Sequence, residues 1–408
     1  MTEHTDIIIV GAGLSGLLAA VALADPGSGA GRTVTLVDPG TLEVQPKNKA
    51  EKRHDLRATS LTPSAVRMLK RLSLDVPPLS AMRTMRVGEG DADTPWQFQL
   101  DAKDDEVLAW FIGNDTFRDI MLRRAVELGV TCIGGRHVQD MNCEGTAHLT
   151  LDNGETLTAK LIVAADGRDS AVRRLAGIGH TARPFEQHTL ILTAIHDNPH
   201  NDVAFQRFQS VGAIGSLPLL DDEEGRHRSQ IAWSDRSVAA LAARDLPAES
   251  LAALIDERLW GELGVCDIVG TRQAYPLTAR RADRIVEHRV ALVGDAARTV
   301  HPLAGLGFNL AIRDIGALTD GIREALQTGQ DIGVSGLQNY AQWRTLDATM
   351  ITQLTEGLSA ARRDRFFGRL SGHIRRGLFA ALDATPFVQP LVRQEAMGEL
   401  GTLPSLLR

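Results

Sequence analysis

The stretch Asp6–Ala24, DIIIVGAGLSGLLAAVALA, decides how the first part of this chain folds. A short apolar run typical of a buried strand leads into the pattern G-x-G-x-x-G, and an apolar helical pattern follows it. A second strand pattern, Thr33–Val37, ends at the acidic residue Asp38. This order of strand, glycine turn, helix, strand and acid predicts a βαβ unit that binds a dinucleotide, whereas the glycines alone would also fit a purely structural turn.

The glycines and the acidic residue of such a unit each have a physical role. Gly11 makes the tight turn, Gly13 lets a pyrophosphate approach the positive end of the helix dipole, and Gly16 lets the helix pack on the strand. Asp38 is predicted to bind the adenosine ribose.

A second stretch, Val290–Asp314, reads VALVGDAARTVHPLAGLGFNLAIRD. A buried-strand pattern, Val290–Val293, ends at Gly294 and Asp295, where a carboxylate could hold a sugar or polyol hydroxyl. His301-Pro302 and two glycines then precede a helical pattern that starts near Phe308. Small residues before a helix let a flat ligand approach backbone N–H groups and the helix dipole. A flavin dinucleotide, hydroxylated at one end and planar at the other, fits this stretch.

Three further residues are candidates for the same site. The strand pattern Leu161–Ala165 ends in DGRDSAVR, in which Asp166 could anchor a ribose or a pyrophosphate-linked water. Arg57 could contact the flavin or its phosphates, with a surface ion pair as the alternative. Arg118 in the first turn of a predicted helix is poorly placed for the helix dipole and indicates an anionic partner, with a solvated side chain as the alternative.

Composition narrows the classes of function. The 408 residues carry a net charge of −7, which does not indicate nucleic-acid binding. The three cysteines are far apart in the sequence, which argues against disulfides and structural zinc and favours a reducing cytoplasm. We predict no metal site, no secretory signal and no membrane-spanning run.

The order of elements predicts an α/β fold with a doubly wound, Rossmann-like domain. We expect residues 1–75, 106–180 and 276–340 to form it, residues 76–105 and 181–275 to form an antiparallel-sheet substrate domain, and residues 341–408 to be a helical C-terminal region. Asn153-Gly154 predicts a hairpin with a type I′ turn. Arginines interleave with apolar residues over Ala361–Arg393. This pattern indicates a helix on a membrane surface or partner, or a terminal helix packed on its own protein.

Together, GAGLSG with Asp38, DGRDSAVR and GDAARTVHPLAGLGFNLAIRD resemble the group A FAD-dependent aromatic monooxygenases of the para-hydroxybenzoate hydroxylase type. The third motif is similar to the signature of the ubiquinone-biosynthesis hydroxylases in that group. The resemblance implies a GR2-type FAD-binding domain and hydroxylation of an aromatic ring through a flavin C4a-hydroperoxide. It implies FAD contacts at these residues: Gly11, Gly13, Leu14, Ser15, Gly16, Asp38, Arg57, Arg118, Asp166, Asp295, Pro302, Gly305, Leu306, Gly307, Phe308 and Asn309.

Two residues are the catalytic candidates. The resemblance places Pro302 beside the flavin ring, and His301 is a candidate acid or base. Two departures from the ubiquinone enzymes stand out, because Leu306 replaces a glutamine and Ala311 replaces a glycine. They leave the flavin prediction intact and weaken the assignment to one ring position.

The predicted substrate is a polyprenyl phenol of ubiquinone biosynthesis, with O₂ as co-substrate and NAD(P)H or another reductant as electron donor. Other ubiquinone-biosynthesis proteins are possible partners, and a cytoplasmic enzyme peripheral to the inner membrane is the expected location. The alternatives are a hydroxylase of a small soluble aromatic, a flavin reductase, and a non-catalytic subunit that keeps the FAD fold.

Overall fold

A computed structural model describes residues 3–44, 57–77, 79–89, 96–209, 211–300, 306–344 and 388–408. Three predicted site residues, His301, Pro302 and Gly305, lie outside these ranges. The arginines of the basic C-terminal segment also lie outside them, with the exception of Arg393.

The described strands, in chain order, are β1 (Glu3–His4), β2 (Ile7–Val10), β3 (Val34–Asp38), β4 (Ala58–Leu61), β5 (Ser80–Met82), β6 (Thr84–Glu89), β7 (Trp96–Asp101), β8 (Ala109–Gly113), β9 (Thr131–Gly134), β10 (Val138–Asn142), β11 (Ala147–Leu151), β12 (Thr156–Ala159), β13 (Leu161–Ala164), β14 (His180–His196), β15 (Val203–Phe208), β16 (Ala213–Leu219), β17 (His227–Arg236), β18 (Val265–Ala282), β19 (Val286–Glu287), β20 (Val290–Leu292) and β21 (Arg298–Thr299).

The described helices are α1 (Leu14–Ala24), α2 (Pro63–Arg71), α3 (Asn114–Glu127), α4 (Ala171–Leu175), α5 (Ser237–Arg244), α6 (Ala248–Arg258), α7 (Leu306–Gln327), α8 (335–344) and α9 (Val388–Ala396). Short 3₁₀ turns form at Pro26–Ser28, Gly294–Ala296 and Ser405–Leu407.

A six-stranded sheet in the order β19-β20-β13-β2-β3-β9 forms the centre of the molecule. All its pairings are parallel except that of β19 with β20. The four residues of β2 are fully buried, because both faces of a parallel sheet are covered. Helices α1 and α7 and the leucines of β11 and β12 pack in the same core. The predicted doubly wound α/β fold is confirmed.

An eight-stranded sheet in the order β21-β18-β14-β17-β16-β15-β6-β7 forms the second layer of the fold. It is antiparallel except where β15 pairs with β6. One face packs against α5 and α6 through residues such as Leu190, Leu192 and Ile255. The long strand β18 runs through residue 276, so the two predicted domains share one continuous strand there. The exact division into domains stays a prediction.

The hairpin at Asn153-Gly154 joins β11 to β12 as predicted, but the predicted type I′ turn is wrong. Only Gly154 of this pair has a positive φ, 82°, whereas a type I′ turn needs two such residues. The Asn153 carboxamide oxygen instead accepts a hydrogen bond from the Glu155 amide at 3.1 Å. This local bond favours a longer loop that ends in a left-handed glycine.

The C-terminal end of the chain packs on the domain that contains the parallel sheet. Leu406 and Leu407 are buried, and the Arg67 guanidinium donates to the Leu407 carbonyl at 2.9 Å. On α9, Arg393 donates to the Asp101 carbonyl at 3.1 Å. Within the described ranges, no helix is both long enough and apolar enough to cross a membrane.

Candidate active site

The glycine turn between β2 and α1 has the close contacts that its sequence predicts. Gly11 has a φ of 101°, and a Cβ atom there would lie 2.4 Å from the Ala165 carbonyl oxygen. At Gly16, a Cβ atom would lie 1.8 Å from the Gly11 carbonyl oxygen. Any side chain at either position would collide with backbone, so these two glycines bring α1 against β2 and β13.

Gly13 differs from its two neighbours because the space around it is open. A Cβ atom at Gly13 would meet no heavy atom within 4 Å. Gly13 is the N-cap of α1, and no side chain caps the first-turn N–H groups. The positive end of α1 therefore faces an open space that Gly13, Leu14 and Ser15 line, which is the arrangement that binds phosphates.

Asp38 lies at the carboxyl end of β3, next to this turn. Its Oδ2 accepts a hydrogen bond from the Ala12 amide at 2.5 Å, and its Oδ1 accepts one from the Gly40 amide at 2.7 Å. The carboxylate thus braces the glycine turn, and it keeps further acceptor positions for a sugar hydroxyl.

Asp295 follows β20 and projects into the cleft. Its side chain is exposed to the cleft space, yet it lies deep enough that surrounding protein desolvates it. This desolvation raises the pKa of the carboxyl, and the charges of Arg168 and Arg57 partly oppose the shift. The preceding Gly294 has a φ of 59°, and a Cβ there would lie 2.5 Å from Ser15 Oγ. The turn therefore holds Asp295 close to the start of α1.

Asp166 is placed at the end of β13, behind the cleft wall. Its Oδ2 accepts from the amides of Ala171 and Val172 at 2.7 and 3.1 Å. Its Oδ1 is buried and has no hydrogen-bond partner among the described residues. Burial raises the pKa of this carboxyl, opposed by those hydrogen bonds. Arg173 fixes the same loop by donating to the Ala296 and Arg168 carbonyls, both at 2.9 Å.

The two predicted arginines also reach the cleft. The Arg57 guanidinium lies over the Tyr275 ring, 5.2 Å from its centroid. Arg118 donates to the Thr41 carbonyl at 3.1 Å. Both side chains line the cavity, but α3 begins at Asn114, so Arg118 is its fifth residue and lies beyond the first turn in which the sequence placed it.

The start of α7 forms another wall of the cleft. Gly307 and Phe308 line the cavity, and the Phe308 ring packs edge-on against Phe117 with centroids 5.8 Å apart. The Asn309 side chain is buried away from it, because Nδ2 donates to the Ser60 carbonyl at 2.9 Å. Leu306 is the first residue of the helix.

A buried ion cluster lies behind this wall. Asp314 of α7 accepts bonds from Arg298 at 2.8 and 3.0 Å and from Arg344 at 2.7 Å. All three side chains are buried, so the charges are held in a low-dielectric environment and depend on each other. The cluster ties α7 to β21 and α8.

These walls enclose a cavity of about 480 Å³. Of the predicted residues, the cavity brings together Gly13, Leu14, Ser15, Arg57, Arg118, Asp295, Gly307 and Phe308. Gly11, Gly16, Asp38, Asp166 and Asn309 support it from behind. The large sheet supplies a further wall, as expected of the predicted substrate domain, but its residues were not predicted: Thr189 and Ile191 of β14 and residues 275–278 of β18. The alternation of positions 189 and 191 on one strand face was the available signal.

The residues of this cleft fit an FAD molecule. An uncapped helix N-terminus suits the pyrophosphate, and the carboxylate of Asp295 suits a polyol hydroxyl. The unsatisfied Oδ1 of Asp166 lies on the same side of the parallel sheet, at the carboxyl ends of its strands, where ligands of such sheets bind.

Comparisons with known proteins agree with this geometry. A family model for an FAD binding domain matches residues 4–355. Ubiquinone hydroxylase UbiL of Rhodospirillum rubrum is 30% identical over 359 residues, covering 86% of this chain and 80% of the relative. Ubiquinone hydroxylase UbiM of Neisseria meningitidis is 31% identical over 359 residues, covering 85% of this chain and 75% of the relative.

Among solved structures, PqsL of Pseudomonas aeruginosa, a probable FAD-dependent monooxygenase, is similar with a TM-score of 0.72. It is 21% identical, and the match covers 91% of this chain and 100% of that one. This structural similarity supports the fold. The family model and the similarity to the ubiquinone hydroxylases show to which family the chain belongs. The chain therefore belongs to the FAD-dependent monooxygenase family that contains the ubiquinone hydroxylases.

Proposed function

We propose that this enzyme hydroxylates the aromatic ring of a polyprenyl phenol in ubiquinone biosynthesis, with FAD and O₂. The observation that carries the proposal is the cavity of about 480 Å³, in which an uncapped helix N-terminus and a carboxylate face the sheet of the second layer. The names of UbiL and UbiM, both ubiquinone hydroxylases, support the choice of substrate.

The FAD contacts are part of this proposal. Gly13 and the first turn of α1 would bind the pyrophosphate, and Asp38 would bind the ribose. Asp295 would bind the polyol, while Gly307 and Phe308 would bound the ring system. Arg57, Arg118 and Arg168 would supply positive charge against the anionic cofactor, because all three line the cleft. His301, Pro302 and Gly305 stay predictions.

Bound FAD supplies activated oxygen, and the protein supplies position and shielding. The N-terminus of α7 points its dipole at the cleft, which stabilises negative charge there. Ile191, Tyr275 and Leu277 line the sheet wall and limit the access of water to the reacting ring. An electron-rich phenol needs little further activation, so no described acid or base is required.

The proposal also includes an electron donor and a location in the cell. We propose NAD(P)H as reductant and the cytoplasmic side of the inner membrane as location, since a prenylated ring partitions into lipid. A contact of residues 361–393 with the membrane or with other ubiquinone-biosynthesis proteins rests on the interleaved arginines of the sequence alone.

The test is oxygen transfer by the purified, FAD-loaded protein. The protein is mixed with NADH or NADPH, ¹⁸O₂ and a farnesylated phenol, and the products are analysed by mass spectrometry. The proposal predicts a ring-hydroxylated product with one ¹⁸O atom. Reductant consumption with hydrogen peroxide as the only product would instead indicate a flavin reductase. Cells that lack the gene should accumulate a quinone precursor with one hydroxyl group too few.

A further inference from the structure

A second cavity of about 360 Å³ lies beside the first. Arg57, Ala58 and Asp115 line both cavities, so only this short wall separates them. The wall is held in place from the sheet, because the Ala58 amide donates to the Gln230 side-chain oxygen at 2.9 Å. Of the proposed FAD contacts that the structure describes, only Arg57 also lines the second cavity.

The two cavities lie on one continuous face of the large sheet. Positions 189, 191 and 193 of β14 share a face, since side chains of a strand alternate. Thr189 and Ile191 line the first cavity, and Thr193 lines the second. The pairing of β14 with β17 is regular from Gln187 to His196, whereas the pairing of β14 with β18 shifts register between Ile191 and Thr193. A ligand that follows this face from the first cavity to the second passes the shared wall of Arg57, Ala58 and Asp115.

The lining of the second cavity differs in chemistry from the first. Its apolar wall consists of Pro77, Leu79, Phe111, Ile112, Leu219 and Leu220. Two arginines line it: Arg57 packs over Tyr275 at the boundary with the first cavity, and Arg228 Nη2 donates to the Leu220 carbonyl at 2.7 Å. Leu220 is 50% exposed, which places apolar surface at the outer rim. The cavity therefore suits a hydrocarbon group better than a charged one.

We propose that the second cavity binds the hydrocarbon tail of the substrate while the aromatic ring lies in the first. This inference rests on the proposed function and extends it to a tail site on the β14–β17 face. The tail passes Arg57 and Ala58 and runs along Thr193 and Gln230 toward Leu220. Burial of an apolar chain on these side chains contributes affinity and fixes which end of the substrate meets the flavin.

Photolabelling of the FAD-loaded protein tests the proposal. One probe is 2-farnesylphenol with a diazirine near the end of the tail, and the matched probe is phenol with a diazirine on the ring. Peptide mass spectrometry should place the tail label on Leu79, Phe111, Leu219 or Leu220. Thr193→Phe, which narrows the cavity, should lower tail labelling at least about tenfold, equivalent to about 1.4 kcal/mol. Leu219→Trp should do the same from the opposite wall.

The control is Val238→Phe, on α5 at the other face of the sheet, where the side chain is 82% exposed. It should leave labelling by both probes unchanged. Tail labelling that is absent, falls elsewhere, or resists both cavity variants would overturn the tail site. Two results would instead count against the proposed function: a wild-type protein that does not bind flavin, or a flavin-loaded wild type that the ring probe does not label.

Discussion

Replacing Gly13 by valine should separate cofactor binding from folding. Gly13 has extended backbone angles, φ −67° and ψ 179°, which valine adopts without strain. A Cβ there meets no protein atom within 4 Å. We therefore expect the free energy of unfolding of the apo-protein to change by no more than about 1 kcal/mol.

The same open space is where the pyrophosphate must approach the first turn of α1. A branched side chain keeps the phosphates from the N–H groups, and each hydrogen bond to a charged group contributes about 1.5–3 kcal/mol. Loss of one such bond raises the Kd for FAD roughly tenfold to a hundredfold, and loss of several raises it further.

The assay pairs two measurements on Gly13→Val: urea unfolding of the apo-protein and titration of FAD by flavin fluorescence. Gly16→Ala is the contrasting variant, since its Cβ would lie 1.8 Å from the Gly11 carbonyl oxygen and should prevent correct folding. A Gly13→Val protein that binds FAD with wild-type affinity would refute the reasoning.

Three further perturbations test other parts of the site. Asp295→Asn should raise the thermal stability of the apo-protein at neutral pH, because burial raises the pKa of the wild-type carboxyl and so disfavours its charged form in the fold. The advantage should vanish as the pH falls through that raised pKa and the wild-type group takes up its proton; a wild type that is more stable at neutral pH would contradict this. Arg57→Ala removes a cleft cation that packs on Tyr275 and should weaken FAD roughly tenfold or slow its reduction, as measured by titration and stopped-flow absorbance. Unchanged affinity and rate would reduce Arg57 to a packing residue. Asp314→Ala leaves Arg298 and Arg344 buried without their shared carboxylate and should cost about 3–5 kcal/mol in urea unfolding. A decrease in the free energy of unfolding below about 1 kcal/mol would mean that the two arginines become solvated in the variant and would contradict the prediction.

Sequence reasoning succeeded where the determining interactions are local. Gly16 needs glycine because it packs on Gly11 within the same βαβ unit, and the strand that precedes Asp295 is a short apolar run.

The parts that sequence could not give depend on contacts between distant segments. Tyr275 reaches the cleft because β18 pairs with β14, and Arg57 meets it from more than 200 positions away in the chain. The Asn309 side chain likewise bonds the carbonyl of Ser60 in β4, 249 positions earlier in the chain. No periodicity within either segment reports such pairings, which depend on the tertiary arrangement of two sheets.

The most direct test of the account is a crystal structure of the protein grown with FAD. The account predicts density for the pyrophosphate at Gly13 and the first turn of α1, and for the ring system in the cavity between Gly307 and the β14–β18 wall. Density for FAD at any other place, or a cleft in which side chains of this chain fill that cavity, would contradict it.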